Sequence, residues 1–515
     1  MSARVLFATS NGTGLGHLNR AMAIARRLPP DFEASFFTLS QAAPVVDGQG
    51  FEVDYLASYR RPASGTDRAW NLRLRAMLEQ LVEEGRPDVV VFDGVHPYRA
   101  LSHVLSRRDA PPSIWCRRPM WRAGSAQAPL RRSGAFDAVL EPGELAAAAD
   151  RGPTVALRAE AARVRPIVLL DRDDLLDREA AAAELGLDPA KRTALVSLGQ
   201  GGEVDRAVAR SLEALAGQPG LQVAALQSSI AAGLEVPDGV VRLRATFPMS
   251  RYFSAFDLAI AASGYNAFHE LIAFGVPTLF VPMPRDTDDQ AARARWAEGE
   301  GVALGVAGAG DPELGARIGE LCDPAVAAAL KRRCEERFPG NGAADAAGLV
   351  AAMARGEGSA PAVRRRGRLN RWLRLSAHPV GPTLPLVLAM GGRDLLRHPE
   401  RRAPRLLVLA LGVSPSELAG RLETAIAGEE PDRVLVVTDS FDFAALRRLG
   451  VGFEHLPAQP QGRRPTDPEL GRLAARLRLL IRGRRPIRAV ALGPLAAELL
   501  GVGELSPPAA EGARA

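Results

Sequence analysis

The sequence is poor in the residues that characterise several common classes of protein. It has three cysteines among 515 residues, Cys116, Cys322 and Cys334, which are too few and too scattered for a disulfide framework or a zinc site. It contains no run of about 18 apolar residues, the length that a membrane-spanning helix needs. The first residues lead directly into a strand pattern, without the apolar segment of a secretory signal peptide. These absences predict a soluble, cytoplasmic protein.

Lysine is almost missing, so arginine carries nearly all of the positive charge. Only Lys191 and Lys331 occur among the 65 basic residues, and the formal net charge is +6. Residues 1–358 have a net charge of −4 and residues 359–515 a net charge of +10, so the two parts of the chain differ in the sign of their net charge. Arginine accompanied by so much alanine, glycine and proline indicates coding bias rather than phosphate binding. No nucleic-acid partner is therefore expected.

Residues 1–355 repeat a strand–loop–helix pattern, which is typical of parallel sheets with helical crossovers. One series begins with the apolar strand 4–8, and a second series begins near Pro166. The sequence therefore predicts an α/β fold with two doubly wound, Rossmann-like domains facing a cleft. Their predicted bounds are residues 1–160 and 161–355.

The composition changes after residue 355. Residues 356–403 combine glycine, serine and proline with many arginines, which predicts a basic linker. Residues 404–505 predict a small C-terminal α/β domain, and no motif assigns a role to it. Its predicted strands are residues 406–411, 434–438, 452–454 and 487–492.

A glycine-rich loop, residues 10–17, follows the first strand and opens a helix. Its glycines allow the backbone to approach a ligand, and the N-terminus of the helix favours an anion or developing negative charge. The loop is similar to a dinucleotide-binding fingerprint, yet His17 stands where the third glycine should fall. Ser40 stands where an acidic residue would hold a ribose. The pattern therefore disfavours NAD binding, and a purely structural turn would not explain the imidazole.

The most specific motif lies between Ser263 and Gln290. It contains Ser-Gly-Tyr-Asn-Ala-Phe-His-Glu at 263–270, Gly-Val-Pro at 275–277 and Asp-Gln at 289–290. Together with the glycine-rich loops, this block resembles the nucleotide-sugar glycosyltransferases of the GT-B fold, especially family 28 and the related UDP-glycosyltransferases. The resemblance covers about residues 1–355. It implies inverting transfer from a nucleoside-diphosphate sugar, in most members UDP-linked, to a hydroxyl acceptor that is lipid-linked or part of an envelope glycan.

The resemblance also implies which residues bind the donor. Glu270 would accept hydrogen bonds from the ribose diol, Asp289 and Gln290 would bind sugar hydroxyls, and Phe247 would lie near the base. Backbone dipoles stabilise the leaving group in this family, so no metal and no other cofactor is expected. The residues assigned to the donor are Gly14, Gly16, Gly199, Gln200, Gly201, Phe247, Ser263, Gly264, Asn266, Glu270, Asp289 and Gln290.

His17 is the candidate general base, because family members use a histidine at the end of this loop to deprotonate the acceptor hydroxyl. The ordinary pKa of histidine suits that task. Asp93 directly follows a buried strand at 89–92, and the carboxyl ends of parallel strands open onto one crevice. Asp93 is therefore predicted to orient His17. His96 is a competing candidate on the acceptor side, and a helix-capping His17 with a turn-forming Asp93 is the structural alternative.

Two other functions remain open from the sequence. Sugar 2-epimerases share the GT-B fold, but their usual His-Arg-Arg-Glu-Asn signature does not occur here. A non-catalytic sugar-nucleotide-binding protein, in which the third domain carries the function, is the other alternative. The intact donor block argues against a loss of donor binding.

Two arginine-rich segments, residues 99–132 and 364–374, also contain tryptophan. Arginine with interfacial tryptophan suits an anionic lipid surface. The sequence therefore predicts a peripheral protein at the inner face of the cell membrane, where a lipid-linked acceptor would reach the cleft. A solvated basic linker is the alternative interpretation.

Overall fold

The computed structural model describes residues 2–10, 15–59, 61, 66–199, 203–227, 236–243, 246–357, 404–456, 466–484 and 486–500. The predictions for Gly14, Gln200 and Gly201, for segment 364–374 and for nearly all of the linker lie outside the described residues. Within the described part of the chain, no helix has the length and hydropathy that crossing a bilayer demands.

The first domain contains a seven-stranded parallel sheet. Its strands are β1 (Ala3–Thr9), β2 (Phe32–Thr38), β3 (Glu52–Tyr55), β4 (Val89–Asp93), β5 (Ser113–Cys116), β6 (Ala138–Glu141) and β7 (Ala162–Arg163). They are arranged in the order β3-β2-β1-β4-β5-β6-β7. All five residues of β4 are buried, as expected for a continuous apolar strand in a sheet covered on both faces. Because β1 and β4 pair in parallel, with Thr9 beside Asp93, the loops that follow them leave from the same edge.

The α-helices in the described part of this domain are α1 (Gly16–Ala25), α2 (Ala43–Asp47), α3 (Asp67–Gly85) and α4 (Arg99–Leu105). The side chain of Thr66 caps α3 by accepting a hydrogen bond from the Ala69 amide at 3.2 Å, which satisfies a free donor of the first turn. Arg86 ends α3 in the left-handed conformation at φ 42°. Leu18–Ala25 of α1 are all buried, because α1 lies between its own sheet and helices of the second domain.

The second domain contains a six-stranded parallel sheet. Its strands are β8 (Arg192–Ser197), β9 (Leu221–Leu226), β10 (Val240–Leu243), β11 (Leu258–Ala261), β12 (Thr278–Phe280) and β13 (Leu304–Gly305). Their order is β10-β9-β8-β11-β12-β13. Ser197 of β8 pairs with Ala261 of β11. The loops at Gly199 and Ser263, which follow these strands, are therefore neighbours.

The helices of the second domain are α5 (Arg178–Leu185), α6 (Glu203–Ala216), α7 (Tyr265–Ala273), α8 (Gln290–Gly299), α9 (Leu314–Cys322), α10 (Pro324–Arg337) and α11 (Ala343–Ala354). Helix α11 returns to the first domain and packs against α1, and Arg355 forms an ion pair with Asp31 at 2.8 Å. The first sheet extends to Arg163, slightly past the predicted boundary at residue 160. The two predicted doubly wound domains are confirmed.

The third domain is the small α/β unit that the sequence predicts. Its strands are β14 (Leu406–Ala410), β15 (Val434–Thr438), β16 (Gly452–His455) and β17 (Arg488–Leu492). They form a parallel sheet in the order β16-β15-β14-β17. Its helices are α12 (Pro415–Ala425), α13 (Phe443–Arg448), α14 (Asp467–Arg484) and α15 (Pro494–Leu500).

The third domain is docked on the outer edge of the first domain. Tyr55 of edge strand β3 packs against Phe443 and Phe453, with ring centroids 5.2 and 5.9 Å apart. Arg476 of α14 forms an ion pair with Asp54 at 2.6 Å. An apolar aromatic contact combined with a half-buried ion pair fixes this docking in one orientation.

Candidate active site

A cavity of about 850 Å³ lies between the first and second domains. It lies at the carboxyl ends of both sheets, where parallel α/β folds bind their ligands. The first domain contributes three of the predicted site residues to its wall, Gly16, His17 and His96. The second domain contributes five, Gly199, Phe247, Gly264, Asn266 and Glu270.

His17 and Asp93 meet as the sequence predicts. His17 is in the first turn of α1, and Asp93 is the last residue of β4. The Nδ1 atom of His17 lies 2.6 Å from Oδ1 of Asp93. Since a carboxylate can only accept, we assign the ring proton to Nδ1. The Nε2 atom is then the basic nitrogen, which is the tautomer that a general base needs.

Burial sets the proton affinity of this pair. It lowers the pKa of His17, and this effect outweighs the opposing hydrogen bond and charge of Asp93. Burial acts to raise the pKa of Asp93, but the Arg20 charge and the hydrogen bond from His17 hold that pKa below its usual value. His17 is therefore neutral, and Asp93 ionised, around neutral pH.

Arg20 is a site residue that sequence reasoning missed. Its Nε atom lies 3.0 Å from Oδ2 of Asp93 and its Nη2 atom 2.6 Å from Oδ1. Arg20 lines the same cavity as His17. The only signal in the sequence is its spacing, since residues three apart on a helix share one face.

Glu270 lies on the opposite wall, in α7 of the second domain. Its Oε1 atom accepts a hydrogen bond from the side-chain amide of Asn19 at 2.8 Å. Burial raises the pKa of Glu270 to about 7, against hydrogen bonds from Asn19 and the Leu169 amide, which lower it. A second contact between the domains runs from the Asn266 side-chain amide to the Gly16 carbonyl at 3.4 Å. His17, the predicted base, and Glu270, the residue predicted to bind the ribose, are thus on adjacent helices that contact each other.

The start of α7 borders the cavity through Gly264, whereas Ser263 is turned inwards. The Ser263 hydroxyl is buried and donates to the Gln290 carbonyl at 2.9 Å. A Cβ atom at Gly264 would lie 3.5 Å from Nε2 of Gln290, an ordinary contact distance. A Cβ atom at position 264 would therefore fit, and the predicted role of Gly264 is to present backbone N–H groups at the helix N-terminus to the donor. Ser263 anchors the beginning of α8 instead of facing the cavity.

Asp289 and Gln290 have protein partners in this structure. Asp289 caps α8 by accepting from the Ala292 amide at 3.0 Å. Gln290 is buried, accepts from the Met283 amide at 3.0 Å and donates to Asp288 at 3.3 Å. Of the aspartates in this segment, Asp286 and Asp288 line the cavity. The predicted contacts of Asp289 and Gln290 with sugar hydroxyls stay predictions.

Residues 240–312 match the model of the glycosyltransferase family 28 C-terminal domain. The predicted resemblance to family 28 glycosyltransferases is confirmed. The chain is 28% identical over 381 residues to the UDP-N-acetylglucosamine–N-acetylmuramyl-(pentapeptide) pyrophosphoryl-undecaprenol N-acetylglucosamine transferase of Clavibacter sepedonicus, covering 70% of this chain and 100% of that protein. The transferase of the same name from Frankia casuarinae is 27% identical, covering 70% of this chain and 96% of the relative.

Among solved structures, the glycotransferase of kitacinnamycin is similar, with a TM-score of 0.48 and 19% identity. That similarity covers 69% of this chain and 100% of the other. The prediction that the chain is a nucleotide-sugar-dependent glycosyltransferase is confirmed by the family 28 domain and by relatives matched over their whole length.

A buried ion-pair network joins the two domains of this glycosyltransferase beside the cavity. Arg293 of α8 binds Glu144 at 2.9 Å and Asp288 at 2.7 Å. Arg118 of the first domain reaches Asp288 at 3.2 Å, and His269 lies 3.3 Å from Glu144. Because each carboxylate has two partners, the network links the wall at Arg118 with helices α7 and α8.

The competing base, His96, borders the same cavity but is held differently. Its ring makes an edge contact with Trp121 at 5.6 Å. Burial and the nearby charge of Arg132 lower its pKa. The imidazole that a carboxylate orients in this cavity is that of His17, through Asp93.

The predicted membrane-facing patch of residues 99–132 is wrong in its apolar part. Trp115, Met120 and Trp121 are all buried in the first domain, because β5 is an inner strand of the sheet and the segment after it is covered by the second domain. Arg117 is buried as well and binds Glu160 at 2.6 Å. The segment nevertheless keeps a group of exposed arginines: Arg99, Arg108, Arg122 and Arg131.

Proposed function

We propose that this glycosyltransferase moves a sugar from a UDP-sugar to the hydroxyl of a lipid-linked acceptor, with inversion at the anomeric carbon. The observation that carries the proposal is that one cavity has His17, held by the buried Asp93, on one wall and Glu270 on the other. The names of the bacterial relatives supply a UDP-N-acetylglucosamine donor and a pyrophosphoryl-undecaprenol acceptor as the first substrates to test.

In this proposal, Nε2 of His17 takes the proton of the acceptor hydroxyl while that oxygen attacks the anomeric carbon. The bond between the anomeric carbon and the diphosphate oxygen breaks, and its electron pair stays on the diphosphate. The new negative charge faces the N-terminus of α7 at Gly264 and the loop at Gly199. Backbone N–H groups and the helix dipole stabilise such a charge without reorganisation. The proposal includes no metal ion.

An assay of UDP release against epimer formation tests this function. The full chain is incubated with a panel of UDP-sugars, with and without an undecaprenyl-diphosphate-linked acceptor, in the presence of EDTA. We expect UDP release that depends on the acceptor. A 2-epimer formed without an acceptor would instead support the epimerase, and UDP-sugar binding without turnover would support a binding protein.

Substitution of Glu270 tests the donor wall, which is the wall of the cavity that the second domain contributes. We expect Glu270→Ala to weaken UDP binding by about 1–3 kcal/mol, the cost of leaving hydrogen-bonding groups unpaired. In the wild-type protein, UDP affinity should fall as the pH is lowered through about 7, where the Glu270 carboxyl takes up a proton and loses acceptor capacity. Isothermal titration calorimetry at several pH values measures both effects.

The matched control is Glu313→Ala, which removes an exposed carboxylate of the same domain. It should leave UDP affinity and its pH dependence unchanged. If Glu270→Ala binds UDP as tightly as the wild type, Glu270 is not part of the donor site.

We also propose that the protein acts at the inner face of the cell membrane through its exposed arginines. Each basic residue near an anionic lipid surface contributes roughly 1 kcal/mol. The double variant Arg99→Glu/Arg131→Glu should therefore weaken sedimentation with anionic vesicles by at least about tenfold at low salt. Arg332→Glu in the second domain is the matched exposed control. Equal binding to anionic and neutral vesicles would contradict the proposal.

A further inference from the structure

Arg20 and His17 share one oxygen atom of Asp93. Oδ1 of Asp93 lies 2.6 Å from Nδ1 of His17 and 2.6 Å from Nη2 of Arg20. The second prong of the guanidinium, Nε, reaches Oδ2 at 3.0 Å. The side chains of Arg20 and Asp93 are each only 2% exposed, so solvent does little to screen this pair. The arrangement differs from a simple histidine–aspartate pair, in which the carboxylate serves the imidazole alone.

We propose that Arg20 is a positioning residue that weakens the proton affinity of His17 by neutralising Asp93, so that the base remains uncharged at the pH of catalysis. The inference rests on the proposed role of His17 as the general base. It assigns to Asp93 the task of orienting the ring rather than of strengthening the base.

The charges around the ring explain this effect. A carboxylate that contacts only an imidazole stabilises the imidazolium form and raises the pKa of the histidine. A guanidinium is always charged and matches a carboxylate with two parallel hydrogen bonds, so Arg20 cancels most of the field of Asp93. Its Nη2 atom also lies 3.2 Å from Nδ1 of His17, where a positive charge repels a protonated ring.

The other groups near this site do not restore a negative field at His17. Arg118, in the segment after β5, also acts to lower the pKa of His17. Cys116 at the end of β5 stays a neutral thiol, because burial raises its pKa. From the second domain, Tyr265 lies under the Arg20 guanidinium at 4.9 Å, and burial raises the pKa of its hydroxyl. Glu270 is engaged with Asn19.

Arg20 also fixes the base relative to the second domain. The Tyr265 hydroxyl donates to the Gly143 carbonyl at 2.8 Å and accepts from the Ile167 amide at 3.1 Å. These backbone groups flank the crossing between the domains. The guanidinium is therefore held between Asp93 on one side and a ring of the donor wall on the other, and it cannot turn away from His17 without losing both contacts.

The test compares Arg20→Met and Arg20→Lys with the wild type by two readouts. The first is the titration of His17 by NMR in isotope-labelled protein, with the His17 signal assigned by its absence in His17→Gln. The second is the pH profile of kcat/KM. Because only the neutral ring accepts a proton, activity rises with pH through the pKa of His17. Arg20→Met should raise that pKa, and move the acid limb of the profile upwards, by about one pH unit or more.

Arg20→Lys keeps the charge but loses the two-pronged contact, so a smaller shift in the same direction is expected. The double variant Arg20→Met/Asp93→Asn removes the buried pair together and leaves no unpaired charge. Its His17 should titrate close to the wild-type value, which keeps the idea testable if Arg20→Met alone does not fold. An unchanged His17 pKa in Arg20→Met, or a decrease, would overturn the proposal. The NMR titration needs no turnover, so its outcome is separate from that of the proposed activity.

Discussion

Replacing His17 with alanine is expected to lower kcat by about 10²–10⁴-fold, the usual contribution of a positioned general base. UDP affinity should stay within about twofold of the wild type, because the donor is held by the opposite wall of the cavity. The loss then falls on kcat and not on donor binding, which identifies an interaction made in the transition state. Steady-state kinetics and calorimetric titration with UDP measure the two quantities.

His96→Ala is the matched control for this substitution, since His96 lines the same cavity. It removes an imidazole that contacts Trp121 and has a nearby cation, Arg132, instead of the carboxylate that orients His17. We expect a loss of less than about tenfold. If His96→Ala is the more damaging change, or if His17→Ala retains the wild-type rate, His17 is not the base.

Replacing Glu144 with alanine is expected to destabilise the two-domain unit by about 3–5 kcal/mol, because Arg293 and Arg118 are then left to share the single carboxylate of Asp288, and the buried network keeps an uncompensated positive charge. Burial opposes ionisation of Glu144, but the charges and hydrogen bonds of Arg293 and His269 overcome it and lower the pKa to about 2. The stabilisation is therefore fully present above pH 4.5, the ordinary glutamate value, and is lost as the pH falls towards 2. Denaturant unfolding of the wild type and the variant, followed between neutral and acidic pH, measures this effect.

Asp345→Ala provides the comparison for a surface pair that also links distant parts of the chain. Asp345 binds Arg165 at 2.9 Å, but both side chains are more than 40% exposed. Its loss should cost less than about 1 kcal/mol. Equal effects of the Glu144 and Asp345 substitutions would show that the buried network does not hold the domains together.

The sequence predicts the architecture well because strand patterns and glycine-rich loops are local features. The strands of the third domain lie within a residue or two of their predicted bounds. The contact of His17 with Asp93 was also predictable, since β1 and β4 are parallel neighbours and residues after both strands share one edge.

Contacts that depend on packing were not predictable in the same way. The spacing of Arg20 places it on the face of His17, but that spacing alone does not predict the two hydrogen bonds from its guanidinium to Asp93. Arg293 and Glu144 are 149 residues apart in the chain. Their pairing follows only from the way the two domains meet.

The donor segment shows how a shift of one residue changes an assignment. Asp289 is used to begin α8, so its side chain turns back towards the helix amides. Asp288, one position earlier, lines the cavity. The tryptophans of segment 99–132 show a related difficulty, since arginine-rich flanks suggested a surface whereas the rings fill the interior.

The stereochemistry of the product formed from an α-linked UDP-sugar tests the central claim most directly. UDP-N-acetylglucosamine is incubated with an undecaprenyl-diphosphate-linked acceptor, and the anomeric configuration of the product is read by NMR while UDP is quantified. We expect one β-linked product for each UDP released, at a rate that falls in His17→Ala by about 10²–10⁴-fold. An α-linked product, or a 2-epimer formed in the absence of the acceptor, would contradict an inverting transfer catalysed by His17.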